Sequence, residues 1–143
     1  MYIISNVGPD ADLTDGHAWI RLESSTGTAT TMSIWGNQGK QTFWINKEID
    51  FGYGAFSKSV NITNAQYNMI NQFNSVPGNT DWSYTYTCAG YSSAIWNYVT
   101  GDSLSASDAM GLTTTPRALA GSIQASPNAI INPEPSIGSS SNP

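Results

Sequence analysis

The chain has 143 residues, 39% hydrophobic, 11% aromatic and only 10% charged, with five Lys/Arg against ten Asp/Glu for a formal net charge of -5. That length suits one domain with its own core, and the acidic balance argues against nucleic acid or an anionic membrane surface as partner. One Cys and one His exclude an intrachain disulfide and a Cys/His zinc site; no stretch reaches the roughly 20 apolar residues of a membrane helix, and no cofactor is expected.

The opening "MYIISNVGPDADLTDG" has no basic region, apolar run or small-residue cleavage site, so no classical secretory signal is visible. Next, "HAWIRLES" alternates, with Ala18, Ile20 and Leu22 on one face and His17, Trp19, Arg21 and Glu23 on the other, the period of a strand. "TTMSIWGN" alternates too, and "STGT" between them supplies a hairpin loop around Gly27. Matching apolar faces pairs Leu22 with Met32 and Ile20 with Ile34, which sets Trp19 beside Trp35 and His17 opposite Asn37, within hydrogen-bonding reach. Further strands are expected at "QTFWINKEI" and "FSKSVNI".

Helices follow the sheet. At "ITNAQYNMINQFNSVPG", Thr63 and Gln66 have capping-box spacing, Tyr67, Ile70 and Phe73 mark an apolar face, and Pro77-Gly78 is the stop. A second helix runs from Thr87 as N-cap to Gly101, with Cys88 in its first turn beside Ser92, Ile95 and Val99. A third begins at "TTPRALAGSI", with Thr115 as cap and Pro116 at the first helical position. The chain therefore reads as α+β: an antiparallel sheet, His strand first, packed against a helix bearing the Cys at its N-terminus. Residues 1–125 form the domain, and 126–143, rich in Pro, Ser and Asn, an irregular tail.

A free thiol has a pKa of about 8.5, and the thiolate is the nucleophile. The first turn of a helix stabilises negative charge, so the position of Cys88 is expected to lower its pKa and to offer a backbone N–H to a tetrahedral oxyanion. A cysteine nucleophile also needs an imidazole, and a third group to orient that imidazole. His17 is the one available, and the hairpin register adds Asn37, giving a Cys88-His17-Asn37 triad if that face meets the helix; Gln38 and Ser33 are alternative orienting groups. Against this, a lone Cys is commonly a buried filler, a lone His an ordinary satisfied side chain, and Asn a common turn residue.

The segments "DGHAWIRLE", "YTCAGYSSAIWNYVTG" and "TTPRALAGSI" resemble the circularly permuted papain-like cysteine hydrolases, the NlpC-like superfamily in its His-before-Cys order. That order also occurs in relatives of lecithin:retinol acyltransferase. More narrowly, the Gly-His-Ala-Trp strand and Cys-Ala-Gly-Tyr helix are similar to toxin domains of polymorphic toxins and type VI secretion effectors. The resemblance covers about residues 14 to 123. It implies a permuted papain-like fold, Cys88 as nucleophile, His17 as base and a third residue that varies. It also implies an amide substrate, peptidoglycan stem peptides or other peptides, with delivery to a target bacterium's periplasm without a classical signal, and a cognate immunity protein as partner.

Trp82, Tyr84, Tyr86 and Trp19 are the aromatic candidates for a substrate groove, with core packing as the cheaper reading of most aromatics. Asp15 and Asp81 are expected in turn or capping roles. Two other functions fit the same residues: a non-catalytic, aromatic-rich glycan-binding module with an inert Cys88, or a lipid or thioester acyltransferase using the same Cys-His pair.

Overall fold

A computed structural model describes residues 1–36 and 40–132; Asn37 and Gln38 lie outside them. The fold is α+β, with an antiparallel sheet and three helices. The six-stranded sheet is built from β1 (Tyr2–Ser5), β2 (Ala18–Glu23), β3 (Ala29–Ile34), β4 (Phe43–Ile45), β5 (Phe56–Ser59) and β8 (Ile130–Ile131), in the spatial order β4-β3-β2-β1-β5-β8. The helices are α1 (Asn64–Ser75), α2 (Cys88–Thr100) and α3 (Pro116–Ala125), and β6 (Ser107–Asp108) and β7 (Thr113–Thr114) form a small ribbon before α3.

Local chemistry explains the helix limits. Thr63 and Gln66 form the reciprocal capping box at the start of α1, and Thr115 caps α3 through the Ala118 N–H with Pro116 behind it. Gly101 ends α2 at φ 75°, the left-handed value glycine accepts without strain. Thr87 occupies the N-cap of α2 but does not cap it: its hydroxyl turns to the Thr114 carbonyl, 2.8 Å away, leaving the first-turn N–H groups without a side-chain cap.

The β2–β3 hairpin differs from expectation by two residues. Ile20 faces Met32 and Leu22 faces Thr30, because a longer loop, residues 24–28, closes through Ser24 N–H to the Thr28 carbonyl (2.9 Å) and Thr28 N–H to Ser24 Oγ (3.1 Å). A two-residue slip keeps every side chain on its face, but changes its neighbour. Continued past Ile20, the pairing brings His17 opposite Trp35 rather than Asn37, and Trp19 opposite Ser33 rather than Trp35.

On one side of the sheet Ile3, Ala18, Ile20, Met32 and Ile34 pack against Cys88, Tyr91, Ile95, Trp96 and Val99 of α2, with Ile70 and Phe73 of α1 and Leu119 and Ile123 of α3 completing the core. The other side carries His17, Trp19, Thr31, Ser33 and Trp35 beneath the β4–β5 connection, from which Glu48 and Phe51 reach them. Past Ser126, where an irregular tail was expected, the chain returns to the sheet: β8 pairs with β5 through Phe56↔Ile131 and Ser57↔Ile130. Among the described residues no helix is long and apolar enough to cross a membrane.

Candidate active site

His17 is positioned by its backbone. Asn6 accepts the His17 N–H through Oδ1 (2.6 Å) and donates its own N–H to the His17 carbonyl (3.0 Å). Gly16, at φ 89°, turns the chain into this clamp, and a Cβ there would stand 2.4 Å from the Val7 side chain.

The imidazole is wholly buried. Its Nε2 lies 2.8 Å from Glu48 Oε1, its ring centroid lies 3.9 Å from that of Trp35, and it stacks on Trp19 at 5.8 Å. Among the described residues Nδ1 has no hydrogen-bond partner.

Glu48 is the residue that sequence reasoning missed. "QTFWINKEI" was expected to continue as one strand, but β4 ends at Ile45 and Asn46 takes φ 61°, a left-handed value Asn tolerates. Asn46 then grips Thr31, its Oδ1 accepting the Thr31 N–H (3.0 Å) and its N–H bonding the Thr31 carbonyl (2.9 Å). The chain thus folds back over β3 and drives Glu48 into the sheet face. There the carboxylate accepts from Thr31 Oγ1 (3.0 Å), Trp35 Nε1 (2.6 Å) and Ser33 Oγ besides meeting His17. The available signal was an Asn able to turn the chain two residues before a carboxylate.

Burial by itself raises the Glu48 carboxyl, yet the His17, Ser33 and Trp35 hydrogen bonds and the His17 charge leave it below its ordinary value. Burial lowers His17, more than Glu48 raises it, and Lys47 lowers it further. The pair therefore rests as a carboxylate and a neutral imidazole. In that state Nε2–H donates to Glu48, and Nδ1 carries a lone pair that meets no donor among the described residues, a costly arrangement in a dry interior.

Cys88 is also wholly buried. Burial pushes its thiol up to about 12, with Glu48 adding to the rise, against the Ala18 and Ala89 backbone N–H groups and the Thr87 hydroxyl, which favour the thiolate. The expected lowering by the helix N-terminus is thus overturned by desolvation. The contact with the Ala18 amide places the sulfur one residue along the strand from His17, although thiol and imidazole are not hydrogen-bonded to each other.

A groove of about 490 Å³ passes Thr87, the residue before Cys88, and is lined by Leu13, Trp82, Tyr84, Leu112 and Thr114 among others. Trp82 lies against Gly36, where a Cβ would meet its indole at 2.5 Å. Trp82 and Tyr84 thus line this groove. Tyr86 does not line the groove: it is half-buried, with its hydroxyl donated to the Asn79 carbonyl at 2.9 Å. Trp19 is fully buried, edge-on to Phe51, and has no surface for a substrate. Among the described residues no three His, Cys, Asp or Glu side chains gather as metal ligands.

No family model, curated protein or solved structure matches the chain.

Proposed function

We propose that this chain is a cysteine hydrolase of permuted papain-like architecture that cleaves an amide bond, with Cys88 as nucleophile, His17 as base and Glu48 as the group that orients the imidazole. One observation carries the reading: the sulfur meets the backbone of Ala18, the residue that follows His17, whose imidazole has its Nε2 fixed by a buried carboxylate and its Nδ1 without a partner among the described residues. That is the tautomer a general base requires.

His17 Nδ1 takes the thiol proton as Sγ attacks the carbonyl carbon. Because the resting thiol is neutral, proton transfer and attack go together. The first-turn N–H groups of α2, which Thr87 leaves uncapped, face the oxyanion. Collapse expels the amine with the proton from His17, leaving a thioester. Water, deprotonated by His17, releases the acid and returns the thiol.

The resemblance favours peptidoglycan stem peptides as substrate and an antibacterial effector role in a target periplasm, opposed by an immunity protein. Sacculi incubated with the protein are expected to release soluble muropeptides whose masses identify the cut amide, and those treated with Cys88→Ala none. Intact sacculi would remove peptidoglycan from the reading, and a Cys88→Ala protein that still cleaves would remove the nucleophile.

A further inference from the structure

We propose that Thr114 of β7 is a positioning residue for the nucleophile: it holds the Thr87 side chain away from the cap of α2 and so leaves the Thr87 hydroxyl for the sulfur of Cys88. The inference rests on the cysteine-hydrolase reading. Three successive threonines end the β6–β7 ribbon, and each bonds a different element. Thr113 Oγ1 donates to the Tyr84 carbonyl, while Thr115 accepts the Ala118 N–H as the cap of α3 and donates to Asp108 Oδ2 (2.7 Å). Thr114 takes Thr87, the residue before Cys88. The Thr87 N–H donates to Thr114 Oγ1 (2.9 Å), the Thr87 hydroxyl donates to the Thr114 carbonyl (2.8 Å), and the two hydroxyls lie 2.9 Å apart.

The backbone at Thr87 is that of an ordinary N-cap, φ -86° and ψ -173°, where a threonine oxygen commonly accepts an N–H of the first turn. Here the side chain makes no such bond, because β7 competes for it. Gly90 admits that competitor: a Cβ there would stand 2.8 Å from Thr114 Oγ1. Glycine is a poor helix former, so its place in the first turn answers to the approach of β7. Thr87 is buried, and its hydroxyl favours a thiolate at Cys88. That hydroxyl has one proton. It goes to the Thr114 carbonyl while the thiol is neutral, and a developing thiolate, the stronger acceptor, draws it to the sulfur. Thr114 Oγ1 is then close enough to donate to Thr87 Oγ1 in exchange. A cap on α2 would turn the same oxygen toward the helix and end that service.

The test follows alkylation of Cys88 by iodoacetamide at pH 9 in the full chain, with Tm measured alongside and muropeptide release from sacculi as a second readout. Thr114→Val removes two of the three bonds and frees the Thr87 side chain to cap α2. Alkylation is expected to slow roughly tenfold, the equivalent of one pKa unit on the thiol, with Tm little changed because the new cap offsets the lost bonds. Thr114→Ser should restore the rate. Gly90→Ala, which displaces Thr114 from the helix side, should slow it in the same direction and carries the test if Thr114→Val does not fold. In Thr87→Ala no hydroxyl remains to be held, so adding Thr114→Val should change the rate no further. Alkylation of Thr114→Val at or above the wild-type rate, a loss that Thr114→Ser does not restore, or additive losses in the double variant overturns the proposal. The two readouts separate the inference from the reading beneath it: intact sacculi with Thr114-dependent alkylation sink the peptidoglycan reaction and keep the role of Thr114, and cleaved sacculi with alkylation insensitive to Thr114 do the reverse.

Discussion

The two sides of the central sheet are held by different physics. Beneath α2, Ala18, Ile20, Met32 and Ile34 meet aliphatic and aromatic side chains, and contact area does the work. On the opposite side the alternate residues His17, Thr31, Ser33 and Trp35 converge on one buried carboxylate, and satisfied polar partners do it. An apolar side degrades gradually when trimmed, whereas a polar cluster with one member missing leaves several groups stranded. The proposed nucleophile, Cys88, lies on the first side against the Ala18 backbone, and the proposed base, His17, on the second, both at the start of β2.

The sharpest break between the sides lies in the proposed catalysis. Cys88→Ala or His17→Ala is expected to lower kcat by more than about 1000-fold, and Glu48→Gln, which keeps the shape and removes the charge, by roughly 10- to 1000-fold with KM little changed. Combining Glu48→Gln with His17→Ala should cost almost nothing more, because members of one catalytic unit are not additive. Additive losses in steady-state kinetics would detach Glu48 from the imidazole.

Reactivity of the thiol measures how deeply it lies in the interior. With the thiol pushed up to about 12 by burial, alkylation of Cys88 by iodoacetamide should be slow at pH 7 and rise about tenfold per pH unit through pH 9. A rate already at its plateau below pH 7 would mean that a thiolate-imidazolium pair exists at rest. The position of Cys88 at a helix start suggested that more reactive thiol; the structure favours the buried one.

Trimming the apolar side should cost stability and spare the chemistry. Ile20→Ala, at a fully buried position under α2, is expected to lose about 2–5 kcal/mol in urea unfolding, with kcat nearly unchanged in the fraction that stays folded. A loss of kcat comparable to that of Glu48→Gln would show that the two sides are not separable.

The smallest effect is acid sensitivity. His17 is held below its ordinary value of 6.5, so the unfolded chain takes up a proton there first, and stability present above about pH 6.5 declines as the pH falls. Glu48, held below 4.5, adds a second decline beneath that value. In a Tm series, His17→Gln should flatten the fall between pH 7 and 5 and leave the lower one. A Tm that rises on acidification from pH 7 would reverse the assigned protonation states.

How much of this was legible follows from the range of each interaction. Capping boxes, Pro at a helix start and strand alternation act within a few residues, and α1, α3 and the two faces of β2 and β3 could be read directly. The register could not, because matching apolar side chains is blind to a shift of two. The Ser24 and Thr28 hydrogen bonds that lengthen the loop decide it. Tyr2–Ser5 carries no polar alternation that would mark it as a strand: Ile3 and Ile4 are both buried because both sides of the sheet are covered there. Glu48 was hidden by the left-handed turn at Asn46, which no hydrophobic pattern reports.

The return of the chain to the sheet after α3 has a consequence for its solution behaviour. β5 would otherwise present a row of open N–H and C=O groups, the template by which one polypeptide recruits another into a growing aggregate. Ile130 and Ile131 occupy part of that row. A chain cut after Ala125 would keep every residue proposed for catalysis yet lose this cover, and is expected to self-associate along β5.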